Sequence, residues 1–165
     1  MVGSLMAKYT ASQIADWFLA RVDREAGDSI THLKLQKLVY YAQAWALALL
    51  GEPLFDEDLQ AWTHGPVVRS LFERFKGNGW EALCGSGNAP KLDKKTKELL
   101  DEVFRVYGEH GAKTLERLSH CEAPWKEARG DCAPEERCEN IISKESIQTF
   151  YREKYRAAIA NGEKQ

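Results

Sequence analysis

The most constraining feature of this chain is the stretch Leu38–Leu50, thirteen residues interrupted only by Gln43 and lying between Thr31 and Gly51. The run is well short of the roughly 20 apolar residues needed to cross a bilayer, so it predicts a helix buried in a protein core. Thr31 supplies an N-cap hydroxyl, and Gly51 is the residue expected just past a helix C-terminus. Leu35, Leu38, Ala42, Trp45 and Leu49 follow the three-to-four spacing of one helical face, and the opposite side carries only Lys34, Gln36, Lys37 and Gln43. A helix apolar on most of its sides is the one around which the others pack.

Helical periodicity dominates elsewhere too. Thr10-Ala-Ser-Gln13 has the form of a capping box, opening a helix with Ile14, Trp17, Phe18, Arg21 and Val22 on one stripe and a close near Gly27. Partial alternation over Leu59–Thr63 predicts a short strand ending at His64-Gly65-Pro66. Pro66 suits the first position of a third helix, Val67–Lys76. A glycine-rich connector, Gly77–Pro90, leads to a helix capped by Asp93 and running to about Glu109, then to a fifth over Ala112–Cys121. A loop containing Pro124 and Pro134 precedes a last helix that Ser143 caps and that ends near Ala160. The expected fold is mainly α: a compact single-domain bundle of about six helices with a small β element around residues 59–63. Residues 1–9 form an N-terminal extension, 10–160 the domain and 161–165 a polar tail. No βαβ alternation is present, which argues against a Rossmann-like enzyme.

The 23 basic and 25 acidic residues nearly balance, so the chain is not one that coats nucleic acid by bulk charge. The first residues, Met1-Val-Gly-Ser-Leu-Met6, lack the charged region and long apolar core of a signal peptide, and Met6 is a possible natural start. With that beginning, Cys84, Cys121, Cys132 and Cys138 are expected as reduced thiols in the cytoplasm.

Catalytic and metal constellations are weak. Cys121, Cys132 and Cys138, with His120 adjacent, lack the short paired spacings of zinc ribbons, so no metal ligand is assigned. Four cysteines and four histidines without a local signature do not define a nucleophile, and Asp56-Glu57-Asp58 reads as a solvated turn. The glycine connector lacks the Gly-Lys-Ser/Thr ending of a phosphate loop. Lys91, Lys94, Lys95 and Lys97 form a local basic patch without interleaved aromatics, better read as a solvated face than as a nucleic-acid contact. Trp62-Thr-His-Gly-Pro66 and His120-Cys-Glu-Ala-Pro-Trp125 place aromatics at turns, where tryptophan serves either as a core anchor or as an interface hot spot. No catalytic residue and no cofactor is expected.

Three segments then fall into a recognisable order. Leu35-Gln-Lys-Leu-Val-Tyr-Tyr-Ala-Gln-Ala-Trp45, Pro53-Leu-Phe-Asp56 and Ala61-Trp-Thr-His-Gly-Pro-Val67 resemble the signature of the Panacea domain, a family of SocA-like antitoxins and GepA-like phage-associated proteins. Glu122-Ala-Pro-Trp125 with Ala128-Arg129 resembles its C-terminal motif, and the similarity extends over about Ile14 to Tyr151. The resemblance implies a non-enzymatic antitoxin that binds and neutralises a cognate protein toxin. One branch is described instead as a proteolytic adaptor delivering its toxin to a Clp-type protease. The alternatives left by the residues are a phage-associated regulator and a Cys/His or metal-dependent enzyme. The expected partner contacts are Lys34, Lys37, Trp62, His64, Val67 and Trp125. Neither membrane nor nucleic acid is an expected partner, and the oligomeric state is left open.

Overall fold

The computed structural model describes residues 6–22, 29–79 and 81–163. The helices are α1 (Ala11–Arg21), α2 (His32–Trp45), α3 (Arg69–Phe75), α4 (Lys94–Tyr107), α5 (Ala112–His120), α6 (Ala123–Arg129) and α7 (Lys144–Glu163), and α1, α3, α4, α5 and α7 pack on α2. A three-stranded antiparallel sheet in the order β2-β1-β3 lies at one end, with β1 at Leu59–Trp62, β2 at Gly65–Val68 and β3 at Ile141–Ile142. None of these helices is long and apolar enough to cross a membrane.

Local signals set the helix starts. Thr10 and Gln13 form the reciprocal capping box of α1, and Thr31, Asp93 and Ser143 accept the N–H of Lys34, Thr96 and Ser146. The first helix closes at Arg21, ahead of Gly27, which lies outside the described residues. Past Trp45 the central helix widens into a π-turn over Ala46–Leu50, stopped by Gly51 in the left-handed region with φ of 76°. Side chains of α7 take up carbonyls that this helix end leaves free: Gln148 Nε2 donates to Leu47 O at 2.8 Å and Arg152 Nε to Ala48 O at 3.4 Å.

Of the four polar residues on the side of α2 opposite its apolar face, all but Lys34 are inside. Gln36, Lys37 and Gln43 are buried, each directed at backbone. Gln43 accepts from Leu54 N at 2.7 Å and donates to Phe55 O at 2.9 Å, fixing the turn after Gly51. Gln36 and Lys37 serve the outer edge of β2, and they explain a correction at Pro66. Pro66 lies in β2 opposite Ala61, and the next helix begins only at Arg69. Ala61 directs its N–H to Asn140 O at 2.8 Å on the β3 side, so its pair with Pro66 is a non-hydrogen-bonded one. A proline there forfeits no ladder bond. On the same outer edge, Gln36 brackets Val68, donating to its C=O at 3.3 Å and accepting from its N–H at 3.0 Å, while Lys37 Nζ donates to Pro66 O at 3.3 Å. An edge strand that would otherwise expose polar backbone is thereby closed by two side chains of the central helix.

Two elements fall where the sequence indicates loop. Pro124 sits within the first turn of α6, where its missing N–H costs nothing, and Ile141–Ile142 pairs with Leu59 and Gln60 as β3. The last helix also continues past Ala160, to Glu163.

Candidate partner groove

The β1–β2 hairpin projects its turn between α5 and the segment joining α6 to β3. Trp62 precedes the turn, His64 occupies it and Val67 follows it. Together with Phe72 and with Glu135, Arg137, Cys138 and Glu139 from the facing segment, they line a largely apolar groove of about 540 Å³. The Trp62 ring meets Phe72 edge-on at 4.9 Å between centroids, and its Nε1 donates to Gln60 Oε1 at 2.7 Å. One wall is therefore a fixed aromatic surface with little rotamer freedom left to lose on binding.

The charged rim is paired. His64 Nδ1 lies 2.7 Å from Glu116 Oε1, and Lys113 Nζ lies 3.3 Å from the other oxygen. Burial pushes the Glu116 carboxyl up, but the hydrogen bonds from His64 and Lys113 outweigh it and leave the group below its ordinary value. Across the groove Glu139 receives Arg69 at 3.0 Å and Arg137 at 2.8 Å. With side-chain exposures of 40% or more on these last three residues, water screens both contacts, so they organise the rim more than they stabilise it.

Beneath the hairpin the support is buried. Trp125 is only 9% exposed; its Nε1 donates to Trp62 O at 2.8 Å and its ring stacks on His120 at 4.1 Å. Burial also pushes the His120 imidazole down, and its Nε2 has no hydrogen-bond partner among the described residues. Arg129 is the second support. Its guanidinium donates to Ala61 O at 2.9 Å, Ala133 O at 2.6 Å and Glu136 O at 2.8 Å, and it lies 5.1 Å from the Trp125 ring centroid. This one cation ties strand β1 to the segment that forms the opposite wall. In the sequence Arg129 stands out only as part of a motif; a charged residue directed at carbonyls of its own next turn leaves no periodic signal.

Lys37 and Lys34 diverge although they stand one turn apart. Lys37 is fully buried behind Gly65 and Pro66, and burial pushes its amine down to about 7, opposed by the charge of Glu116. Lys34 Nζ instead donates to Gly108 O at the end of α4, at 2.5 Å. The six expected contact residues thus separate into three that line the groove (Trp62, His64, Val67), two behind it (Lys37, Trp125) and one at another end of the bundle (Lys34).

Cys132 and Cys138 belong to the facing segment, where the neighbouring Cys138 thiol, with burial, pushes the Cys132 thiol up. Among the described residues no three His, Cys, Asp or Glu side chains converge to hold a metal ion.

These features define a small helical module whose central helix braces a hairpin that edges a groove. The chain belongs to the Panacea domain family of SocA-like antitoxins, whose pattern it matches over residues 35–126. Among characterised proteins it is similar to Antitoxin SocA of Caulobacter vibrioides (strain NA1000 / CB15N), with 30% identity over 109 residues. The aligned region covers 58% of this chain and 58% of that relative. No solved structure matches the chain. The family match runs from within α2 through the hairpin, α3, α4 and α5 to the start of α6, and so includes Trp62, His64, Val67 and Trp125.

Proposed function

We propose that this protein is an antitoxin that neutralises a cognate protein toxin by direct complex formation, with the groove beside the β1–β2 turn as the centre of the contact. The observation that carries this reading is the placement of Trp62, His64 and Val67, close together in the family-matched region, on one apolar recess rimmed by charges. A recess of this size accepts one or two side chains of a partner; a surrounding contact of roughly 1,200–2,000 Å² makes a stable complex. Trp62 is the expected anchor, His64 and Arg137 set register at the rim, and Lys37 and Trp125 hold the hairpin from behind. Neutralisation acts by occupancy and involves no covalent step.

The test is co-expression with the product of the adjacent gene. The neighbour is expected to arrest growth alone, to be harmless beside this chain, and to co-purify with it. A harmless neighbour, or rescue with neither a complex nor a fall in toxin level, contradicts the proposal. Toxin that disappears on rescue but persists in cells lacking a Clp-type protease would replace occlusion with the adaptor mechanism.

A further inference from the structure

Lys37, fully buried, packs against the first residue of β2, a glycine whose missing side chain leaves it room. Gly65 has φ of 110°, a conformation that L-residues with side chains rarely adopt. A Cβ built there would lie 2.5 Å from Lys37 Cε, 2.9 Å from Ser119 Oγ and 3.0 Å from Lys37 Nζ. The amine therefore occupies the space that glycine vacates. It donates to the carbonyl of the next residue, Pro66, at 3.3 Å, and no carboxylate lies within ion-pair distance of it among the described residues. An ammonium has three N–H donors, so a buried one held by a long bond to a carbonyl is poorly compensated.

We propose that Lys37 is a positioning residue of the groove: its amine sets Gly65-Pro66, where β2 leaves the hairpin turn, so a change in its charge shifts the turn and alters the groove's affinity for a protein partner. The proposal rests on the reading that the groove binds a partner, but the turn can be followed without one. A charged amine pulls on the Pro66 carbonyl and on the field of Glu116; a neutral amine accepts a looser contact. The displacement passes directly to His64 and Val67, which flank Gly65 and Pro66 and line the recess.

Several other ionisable groups surround this amine and the hairpin turn beside it. They are His32, one turn earlier on α2; Glu116, Lys113 and His120 on α5; and His64 in the turn itself. Burial pushes the His32 and His120 imidazoles down. His64 is exposed and ion-paired with Glu116 next to Gly65, so replacing it takes the second ionisable side chain out of the hairpin turn.

The experiment is an NMR pH titration of the full chain carrying His64→Gln, following the Lys37 side chain and the backbone amides of Trp62, Gly65, Val67 and Val68. Lys37 is expected to titrate near neutrality, and the amides to move with the same midpoint. Lys37→Met, which keeps length and removes charge, should abolish that amide transition and leave those of His32 and His120. A Lys37 midpoint near that of an ordinary lysine, or amide movement with a different midpoint, overturns the proposal, and the parent titration decides this even if Lys37→Met does not fold. With the toxin in hand, affinity should change about tenfold between pH 6 and 8.5, because a partner that prefers one charge state of the amine binds that state more tightly. The same measurement should be flat in Lys37→Met. If no partner binds at all, the proposed function fails while the titration still decides the role of Lys37.

Discussion

Arg129→Met removes the cation that joins the two walls of the groove, and its cost follows from the contacts. The bond to Ala61 O is buried, and a hydrogen bond to a charged donor contributes about 1.5–3 kcal/mol. The bonds to Ala133 O and Glu136 O are half-buried, so those carbonyls turn to water and lose less. Against these losses, methionine no longer requires a guanidinium to be dehydrated and still covers Trp125. The net expectation is a loss of about 2–4 kcal/mol, read as a lower urea midpoint with an unchanged slope. Hydrogen exchange should localise the effect: the Ala61 N–H, bonded to Asn140 O at 2.8 Å, loses protection before the α2 amides do. Arg129→Lys should recover less than half, because an ammonium cannot spread donors over three carbonyls as the planar fork does. A loss below about 1 kcal/mol, or unchanged exchange at Ala61, would refute the view that Arg129 holds the groove together.

Other perturbations test separate parts. Gly65→Ala, which meets Lys37 Cε at 2.5 Å on a backbone with φ of 110°, should cost more than about 2 kcal/mol in thermal or urea unfolding, and a loss under about 0.5 kcal/mol would contradict the interlock. The amine of Lys37 is pushed down to about 7 in the fold against 10.5 in an ordinary lysine, so the unfolded chain binds more protons between these values. The contribution is fully present above 10.5 and is lost as pH falls toward 7; this group alone should raise stability by about 2 kcal/mol from pH 7 to 9, and Lys37→Met should lack the rise. Tyr151→Phe deletes the buried 2.6 Å bond to Glu122 Oε1 and should cost about 2 kcal/mol by urea denaturation. Thr10→Ala removes one half of the α1 capping box and should cost about 1 kcal/mol, with early exchange confined to the first turn of that helix.

What the sequence made legible was local. Thr10, Thr31, Asp93 and Ser143 cap as their side chains indicate, and Gly51 stops the central helix, because each of these choices is made within four residues of chain. Pro66 misleads for a physical reason: the sequence points to helix position N1, but a non-hydrogen-bonded edge-strand site tolerates a missing N–H equally well, and only the pairing with Ala61 decides for the strand. β3 has two residues and therefore no period to detect, while α6 carries in its first turn a proline easily taken for a break. At the groove, Trp62, His64 and Val67 were legible together because they are neighbours in the chain. The facing wall at Glu135–Glu139 and its tie through Arg129 depend on contacts made after folding. Lys37 illustrates the same limit: a lysine on a helix is ordinarily solvated, and its burial becomes intelligible only when the space above Gly65 is seen.

The central claim is that the recess beside the β1–β2 turn is where a protein toxin binds, and a dissociation constant measured by calorimetry with the purified adjacent-gene product tests it most directly. Trp62→Ala should weaken the complex by at least about thirtyfold, the loss of a hot-spot anchor of roughly 2 kcal/mol, with the fold intact by circular dichroism. Tyr155→Ala, on the exposed face of α7 away from the hairpin, should leave the affinity unchanged. Wild-type affinity in Trp62→Ala together with lost binding in Tyr155→Ala would contradict the account and move the interface to the other end of the bundle.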